Sequence, residues 1–597
     1  MTTEDSDADA RQARLNANLA KVDTLSKRLT AAFMQRKSAD PALNGPSEDL
    51  YMKAAAAYVA EMMQNPAKIL EHQISYWGKS LKHYVEAQQA LSKGELKAPP
   101  DPTPRDKRFA NPLWETHPFF NYLKQQYLLN AEAITGAVAG LENMEPADRK
   151  RIEYFSRQIV DMFAPTNFLG TNPDALERAV ATDGESLVQG LENLVRDIEA
   201  NSGELLVTLA DKQAFTLGKN IATSPGAVVY RNKMLELIQY SPSTPTVHAT
   251  PLLIFPPWIN KFYILDLKPQ NSLIKWIVDQ GFTLFVVSWV NPDASYADTG
   301  MDDYIRDGYL RAMAEVRRIT GEKQINVVGY CIAGTTLALT LAHLEKAGDK
   351  TVKSATFFTT LTDFSDQGEV GVFLNDDFVD GIERQVAVDG ILDKAFMSRT
   401  FSFLRSNDLI YQPAIKSYMM GEAPPAFDLL FWNGDGTNLP AKMAIEYLRG
   451  LCQRDDFAQS RFPVFGAPVS PAAITLPICA IACETDHIAA WKSSYNGFLR
   501  FGSTDKTFIL SQSGHIAGIV NPPSKGKYGH YSNEAPMTSP EDFMAGATFH
   551  QGSWWPRWGK WLAKRSGAQV PARIPGDSTN KVLAQAPGTY VSADPNL

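Results

Sequence analysis

Cys331 stands in the run Val328-Gly329-Tyr330-Cys331-Ile332-Ala333-Gly334-Thr335, after β-branched residues and before an Ala/Leu/Thr-rich stretch of helical spacing. A tight strand-to-helix turn of this kind lifts its central side chain above a sheet. The small residues Gly329, Ala333 and Gly334 let such a turn close, although the usual pattern has glycine two residues after the nucleophile and this chain has Ala333. Further along, Asp486 follows the apolar run 478–482, and His515 lies in the loop after the run 506–510. Nucleophile, acid and histidine, each at a strand end and in that order, form the α/β-hydrolase arrangement. A free thiol is mostly protonated at neutral pH and needs a base. His515 is expected to be that base, and Asp486 to fix its tautomer and orientation. His487, beside the acid in a tight turn, and His248, before the first core strand, read as structural.

Acyl transfer also needs hydrogen-bond donors aimed at a developing oxyanion. The Ile332 amide, just after the nucleophile, is one. The second is expected from Pro256-Pro257-Trp258-Ile259-Asn260-Lys261, with Trp258 and Ile259 both open as donors. Cysteine in place of serine points towards transfer. A thioester on Cys331 keeps the group-transfer potential of a thioester substrate, so its acyl group stays reactive towards an incoming alcohol. A simple esterase gains little from this.

These side chains need a scaffold. Short apolar runs at 251–255, 283–288, 324–328, 354–358, 478–482 and 506–510 alternate with helical patterns at 271–280, 303–320 and 332–346. That alternation predicts an α/β fold, with a mostly parallel sheet covered by helices on both faces. The stretch from 358 to 478 is far longer than an ordinary crossover. It is expected to insert a cap or lid at about 365–445, and Trp432 within it either lines the pocket or packs the cap. The catalytic domain is expected at 226–565 and a surface tail, rich in Pro, Gly and Ala, at 566–597. An α-helical N-terminal domain precedes them at 1–225. Its first part, 1–105, carries an apolar stripe (Leu15, Leu19, Val22, Leu25, Leu29, Phe33), helical runs at 48–64 and 67–91, and an extended Pro-rich segment at 98–104. The stripes fit helix–helix packing or docking on a partner or hydrophobic surface.

Composition narrows the function. The 597 residues are 44% hydrophobic and 21% charged, a globular balance, and the formal charge of −8 leaves no footprint for nucleic acid. The 4 cysteines are too few for a disulfide framework and include no Cys-x-x-Cys pair. The acidic N-terminus has no apolar core, so it is not expected to be a signal peptide, and no apolar run approaches a transmembrane segment. A cytoplasmic location is the simplest expectation. No metal and no cofactor are called for.

Beyond the individual residues, the sequence resembles the class I polyhydroxyalkanoate synthases. The box Gly329-Tyr330-Cys331-Ile332-Ala333-Gly334-Thr335 is similar to their lipase-like box. So are the segments beginning Phe255-Pro256-Pro257-Trp258, Ser288-Trp289-Val290-Asn291-Pro292-Asp293, Phe431-Trp432-Asn433-Gly434-Asp435-Gly436, Gly514-His515-Ile516-Ala517-Gly518 and Gly552-Ser553-Trp554-Trp555-Pro556. The resemblance covers about 106–561. It implies polymerisation of (R)-3-hydroxyacyl-CoA, most of all 3-hydroxybutyryl-CoA, with CoA as leaving group, and it puts Cys331, Asp486 and His515 at the triad positions. Tyr330 and Trp432 are expected near substrate. It also implies a homodimer, attachment to polyester granules and association with granule-coat proteins. Where the family usually has valine and proline after Asp486-His487-Ile488, this chain has Ala489-Ala490. Two rival readings remain: a cysteine-dependent hydrolase or depolymerase, and a non-catalytic granule-coat protein. Whether Asp486 acts through His515 or directly on the substrate hydroxyl is open.

Overall fold

The computed structural model describes residues 3–34, 43, 48–64, 66–93, 106–141, 144–535, 538–576 and 581–592. The Pro-rich segment at 98–104 lies outside them. The chain divides into two compact units, Met1–Leu209 with Ser402–Pro425, and Ala210–Phe401 with Ala426–Leu597.

The first unit is helical, with long helices at Thr3–Phe33, Glu48–Gln64, Pro66–Ser92, Pro118–Ala139, Pro146–Met162 and Glu185–Ala200. Leu25 of the first helix packs against Val188, Leu191 and Val195 of the last, so this part of the apolar stripe is helix–helix packing. Leu19 and Phe33 stay exposed. On Pro66–Ser92, Ile74, Trp77 and Leu81 are three and four residues apart on one face, and all are exposed. Residues 402–425, read from sequence as part of the cap, belong to this unit. The Asn193 side-chain amide donates to the Ser417 carbonyl at 3.1 Å. Gly190 admits the same segment, because a Cβ there would lie 2.0 Å from the Tyr418 carbonyl oxygen. Contacts between segments so distant along the chain leave no local pattern, so the cap boundaries expected from sequence miss them.

The second unit is built on an 11-stranded sheet. Its strands are β1 (Gly226–Arg231), β2 (Leu235–Tyr240), β3 (Leu252–Phe255), β4 (Leu284–Trp289), β5 (Ile325–Tyr330), β6 (Val352–Phe358), β7 (Ile478–Cys483), β8 (Lys506–Ser511), β9 (His530–Ser532), β10 (Thr548–His550) and β11 (Ala584–Gln585). The spatial order is β10-β9-β8-β7-β6-β5-β3-β4-β2-β1-β11. From β4 across β3, β5, β6 and β7 to β8, neighbours pair in parallel. These are the apolar runs read from the sequence. Every residue of β3, β4, β5 and β7 is buried, so they show no in–out alternation. Helices Leu273–Asp279, Arg311–Thr320, Ile332–Lys346 and Trp491–Leu499 supply the crossovers. This is the expected α/β-hydrolase fold.

Antiparallel strands extend the sheet at both sides: β1 and β2 beyond β4, and β9 and β10 beyond β8. The stretch read as a surface tail is docked instead. β11 pairs with β1, and Gln569–Pro571 pairs with Thr246–His248. The amides of Thr589 and Tyr590 donate at 2.9 and 3.0 Å to the carboxylate of the fully buried Glu236. An edge strand presents unpaired backbone groups, and this segment covers them.

Candidate active site

Cys331 joins the end of β5 to the helix Ile332–Lys346 with φ 55 and ψ −128. A non-glycine residue in such a region carries about 1–3 kcal/mol of strain, so its surroundings must impose it. The Cys331 N–H donates to the Phe358 carbonyl at 2.8 Å, and the Cys331 carbonyl accepts from the Gly334 N–H at 2.9 Å. Two glycines make the closure possible. A Cβ on Gly329 would lie 2.5 Å from the Gly334 Cα, and one on Gly334 would lie 2.0 Å from the Thr360 hydroxyl oxygen. Ala333 falls where a methyl group fits. It is fully buried, and its carbonyl accepts from the Tyr309 hydroxyl at 2.8 Å.

The His515 ring is hydrogen-bonded to the acid, with Nδ1 of His515 2.7 Å from Oδ2 of Asp486. The other carboxylate oxygen accepts from the Ile488 and Ala489 amides, each at 2.8 Å. Backbone donors therefore hold the acid in place, and the change to Ala489-Ala490 leaves both intact. Burial pushes the His515 imidazole down, but the charge of Asp486, the neighbouring Cys331 and the hydrogen bond to Asp486 outweigh it. The ring is held well above its ordinary value. The three expected residues are thus brought together. His248 lies elsewhere, stacked on Phe282 with ring centroids 4.7 Å apart.

Tyr330 is placed differently from expectation, and Trp432 takes the packing alternative. Tyr330 is buried and does not line the cavity around Cys331. Its ring stacks on that of His515 at 5.9 Å, and its hydroxyl donates to the His515 carbonyl at 3.4 Å. Side chains alternate along a strand, so Tyr330, at the end of β5, faces the His515 ring rather than the cavity. Trp432 belongs to the hydrophobic core, and its indole N–H donates to the Lys261 carbonyl at 2.7 Å. Of the two oxyanion candidates after β3, Trp258 is fully buried with its indole N–H on the Thr336 hydroxyl at 3.2 Å. Ile259 lines the cavity with Cys331 and Ile332. Among the described residues, the amides of Trp258, Ile259 and Ile332 donate to no protein acceptor, so it is the cavity lining that separates Ile259 from Trp258.

The cavity has a volume of about 120 Å³. Its walls beyond Cys331 come largely from the insertion between β6 and β7, including Phe364, Phe373, Phe378, Phe396 and Tyr447. Tyr447 lies on a π-helical stretch, Glu446–Gln453, and its ring meets Trp258 and Phe364 edge-on at 5.7 and 6.0 Å. Local π-helix is frequent at functional sites. Sequence reasoning missed Tyr447, the phenylalanine wall and Thr359, which also lines the cavity. As residue types they are indistinguishable from ordinary core. Only the place of Thr359, just past the strand beside the nucleophile, marks it. Among the described residues no cluster of His, Cys, Asp and Glu is arranged to hold a metal, and no helix is long and apolar enough to cross a membrane.

Comparison with known proteins adds a second line of observation. A family described as the N-terminus of poly-beta-hydroxybutyrate polymerase (PhaC) matches residues 105–277, and the alpha/beta hydrolase fold matches 251–522. The poly(3-hydroxyalkanoate) polymerase of Methylorubrum extorquens is 41% identical over 92% of this chain and 91% of its own. The polymerase subunit PhaC of Rhizobium meliloti is 39% identical over 89% of this chain and 86% of its own. That of Cupriavidus necator is 39% identical over 88% and 89%.

Proposed function

The chain belongs to the poly(3-hydroxyalkanoate) polymerases and is an acyltransferase, and from that premise we propose that it polymerises (R)-3-hydroxyacyl-CoA, 3-hydroxybutyryl-CoA foremost, through an acyl–Cys331 intermediate. The observation that carries this reading is Cys331 on a strained turn beside the His515–Asp486 pair, in the wall of an apolar cavity.

His515 takes the proton of the Cys331 thiol, and the thiolate attacks the thioester carbonyl of the substrate. The oxyanion is received by the Ile332 and Ile259 amides; both residues border the cavity and neither amide has a protein acceptor among the described residues, which supports that role. Collapse breaks the bond to CoA, whose sulfur leaves with the proton from His515. The hydroxyl of a second acyl unit then gives its proton to His515 and attacks the Cys331 thioester. An ester forms, and the protonated His515 returns the proton to the departing Cys331 sulfur. Both Asp486 oxygens are engaged, one by two backbone amides and one by His515. That supports an orienting role for the acid over direct contact with the hydroxyl. The phenylalanine wall keeps water from the thioester, which hydrolysis would otherwise discharge. The reaction draws on no metal and no cofactor.

The enzyme works in the cytoplasm, as a homodimer at the surface of the polyester it makes. The exposed Ile74, Trp77 and Leu81 on one helical face support attachment to an apolar surface.

The test follows CoA release from (R)-3-hydroxybutyryl-CoA and turbidity in one cuvette, for wild type and Cys331→Ala. Release with clouding in wild type and neither in the variant is expected. Release in a clear solution with free acid accumulating would overturn polymerisation in favour of hydrolysis. An active Cys331→Ala would overturn the nucleophile.

A further inference from the structure

Thr359 lines the cavity and has no part in the chemistry above. Thr359 follows β6 directly and has φ 41. A β-branched residue at positive φ is a true outlier, imposed by its surroundings rather than preferred. Its amide is fixed by donation to the Ile481 carbonyl at 2.7 Å. Its hydroxyl is buried and has no hydrogen-bond partner among the described residues. The neighbouring hydroxyls behave differently. Thr360 donates to the Phe358 carbonyl at 3.0 Å, Thr335 to the Leu361 carbonyl at 2.7 Å, and Thr400 to the Phe396 carbonyl at 3.1 Å. Thr359 therefore combines backbone strain with an unsatisfied polar group, two unfavourable features that persist together mainly where a ligand uses them.

Its position suits one ligand group. The Cys331 N–H bonds to the carbonyl of Phe358, the residue before Thr359, and Thr359 lines the same cavity as Cys331. An acyl group on the Cys331 sulfur carries its 3-hydroxyl only a few bonds away. The rest of that wall is mostly apolar, with five phenylalanines among its residues, so a hydroxyl stripped of water there meets few partners. A threonine hydroxyl offers both a donor and an acceptor.

We propose that Thr359 is a specificity-determining residue, its hydroxyl hydrogen-bonding the 3-hydroxyl of the acyl unit carried on Cys331. This rests on the polymerase reading and names the group that selects a 3-hydroxyacyl substrate over a plain acyl one.

The test is single-turnover acylation of the full-length enzyme, read as CoA release, with (R)-3-hydroxybutyryl-CoA and with butyryl-CoA. The second substrate has the same chain without the 3-hydroxyl and acylates once without elongation. The ratio of the two rates is compared in wild type, Thr359→Val, Thr359→Ala and Thr359→Ser. Because both rates come from one sample, loss of folded enzyme cancels. The ratio is expected to fall about tenfold in the valine and alanine variants, the discrimination carried by one hydrogen bond, and to be retained by serine. A ratio within threefold of wild type in both hydroxyl-less variants overturns the assignment. If wild type makes no polymer but the ratio still falls, the polymerase reading fails and the role of Thr359 stands.

Discussion

Asp486→Asn isolates what the acid does, because the structure dictates how the new amide must sit. One oxygen of Asp486 accepts from the Ile488 and Ala489 amides at 2.8 Å each, and the other faces Nδ1 of His515 at 2.7 Å. In the variant the carboxamide oxygen stays with the two backbone donors, so its NH2 points at His515. The reverse orientation would set NH2 against two N–H groups and leave them unpaired, at about 1–3 kcal/mol each. Facing a donor, Nδ1 must accept, and the ring proton moves to Nε2. That nitrogen then cannot take the Cys331 proton. By analogy with hydrolase triads, acylation should fall on the order of 10³–10⁴-fold. The charge that holds His515 well above its ordinary value also disappears. On the proposed mechanism the wild-type imidazolium that protonates departing CoA persists to higher pH, so the alkaline limb of the acylation profile should move to lower pH in the variant. Rapid-quench measurement of the first CoA released, alongside steady-state release, separates acylation from elongation. An acylation burst within tenfold of wild type, with elongation alone lost, would refute the orienting argument and put Asp486 on the substrate hydroxyl.

Other outcomes follow from the same geometry. Gly334→Ala places a methyl group 2.0 Å from the Thr360 hydroxyl oxygen, so it should lower stability by about 1–3 kcal/mol in thermal unfolding and distort the turn enough to depress acylation. Ala333→Gly should cost about 1 kcal/mol or less and leave acylation near wild type. Trp432→Phe removes the bond to the Lys261 carbonyl and should cost about 1 kcal/mol, seen as a lower Tm, with KM for the acyl-CoA unchanged. A large rise in KM would return Trp432 to the substrate. His530 is pushed below the ordinary histidine value by burial, with His550 and Arg557 adding to the effect. The unfolded chain then binds that proton more readily, so its contribution to stability is present above about pH 6.5 and is lost as the pH falls below it. His530→Gln should therefore flatten the fall in Tm between about pH 7.5 and pH 5, and an unchanged slope would assign that fall to other groups.

Much of this protein was legible without coordinates, for reasons that are local. The turn at Cys331 is encoded by Gly329 and Gly334, whose missing side chains are the clearance it needs. The parallel strands announce themselves as unbroken apolar runs because they are buried on both faces. Asp486 and His515 stand just past two such runs, so chain order and strand ends sufficed to select them. The flanking antiparallel strands were missed because short, partly polar segments carry little periodicity, as in β9 and β10.

Composition and spacing therefore determined the α/β sheet and the order of Cys331, Asp486 and His515 along its strand ends, properties written within a few residues of each position. The tertiary structure alone decided that Trp432 packs the core, that Tyr330 supports His515, and that Ile259 rather than Trp258 borders the cavity. It also joined residues 402–425 to the helical unit, set the C-terminal segment against β1, and left the Thr359 hydroxyl without a partner among the described residues. Each of these depends on which way a side chain or segment faces once parts far apart in the chain have packed, and a linear pattern carries no record of that direction.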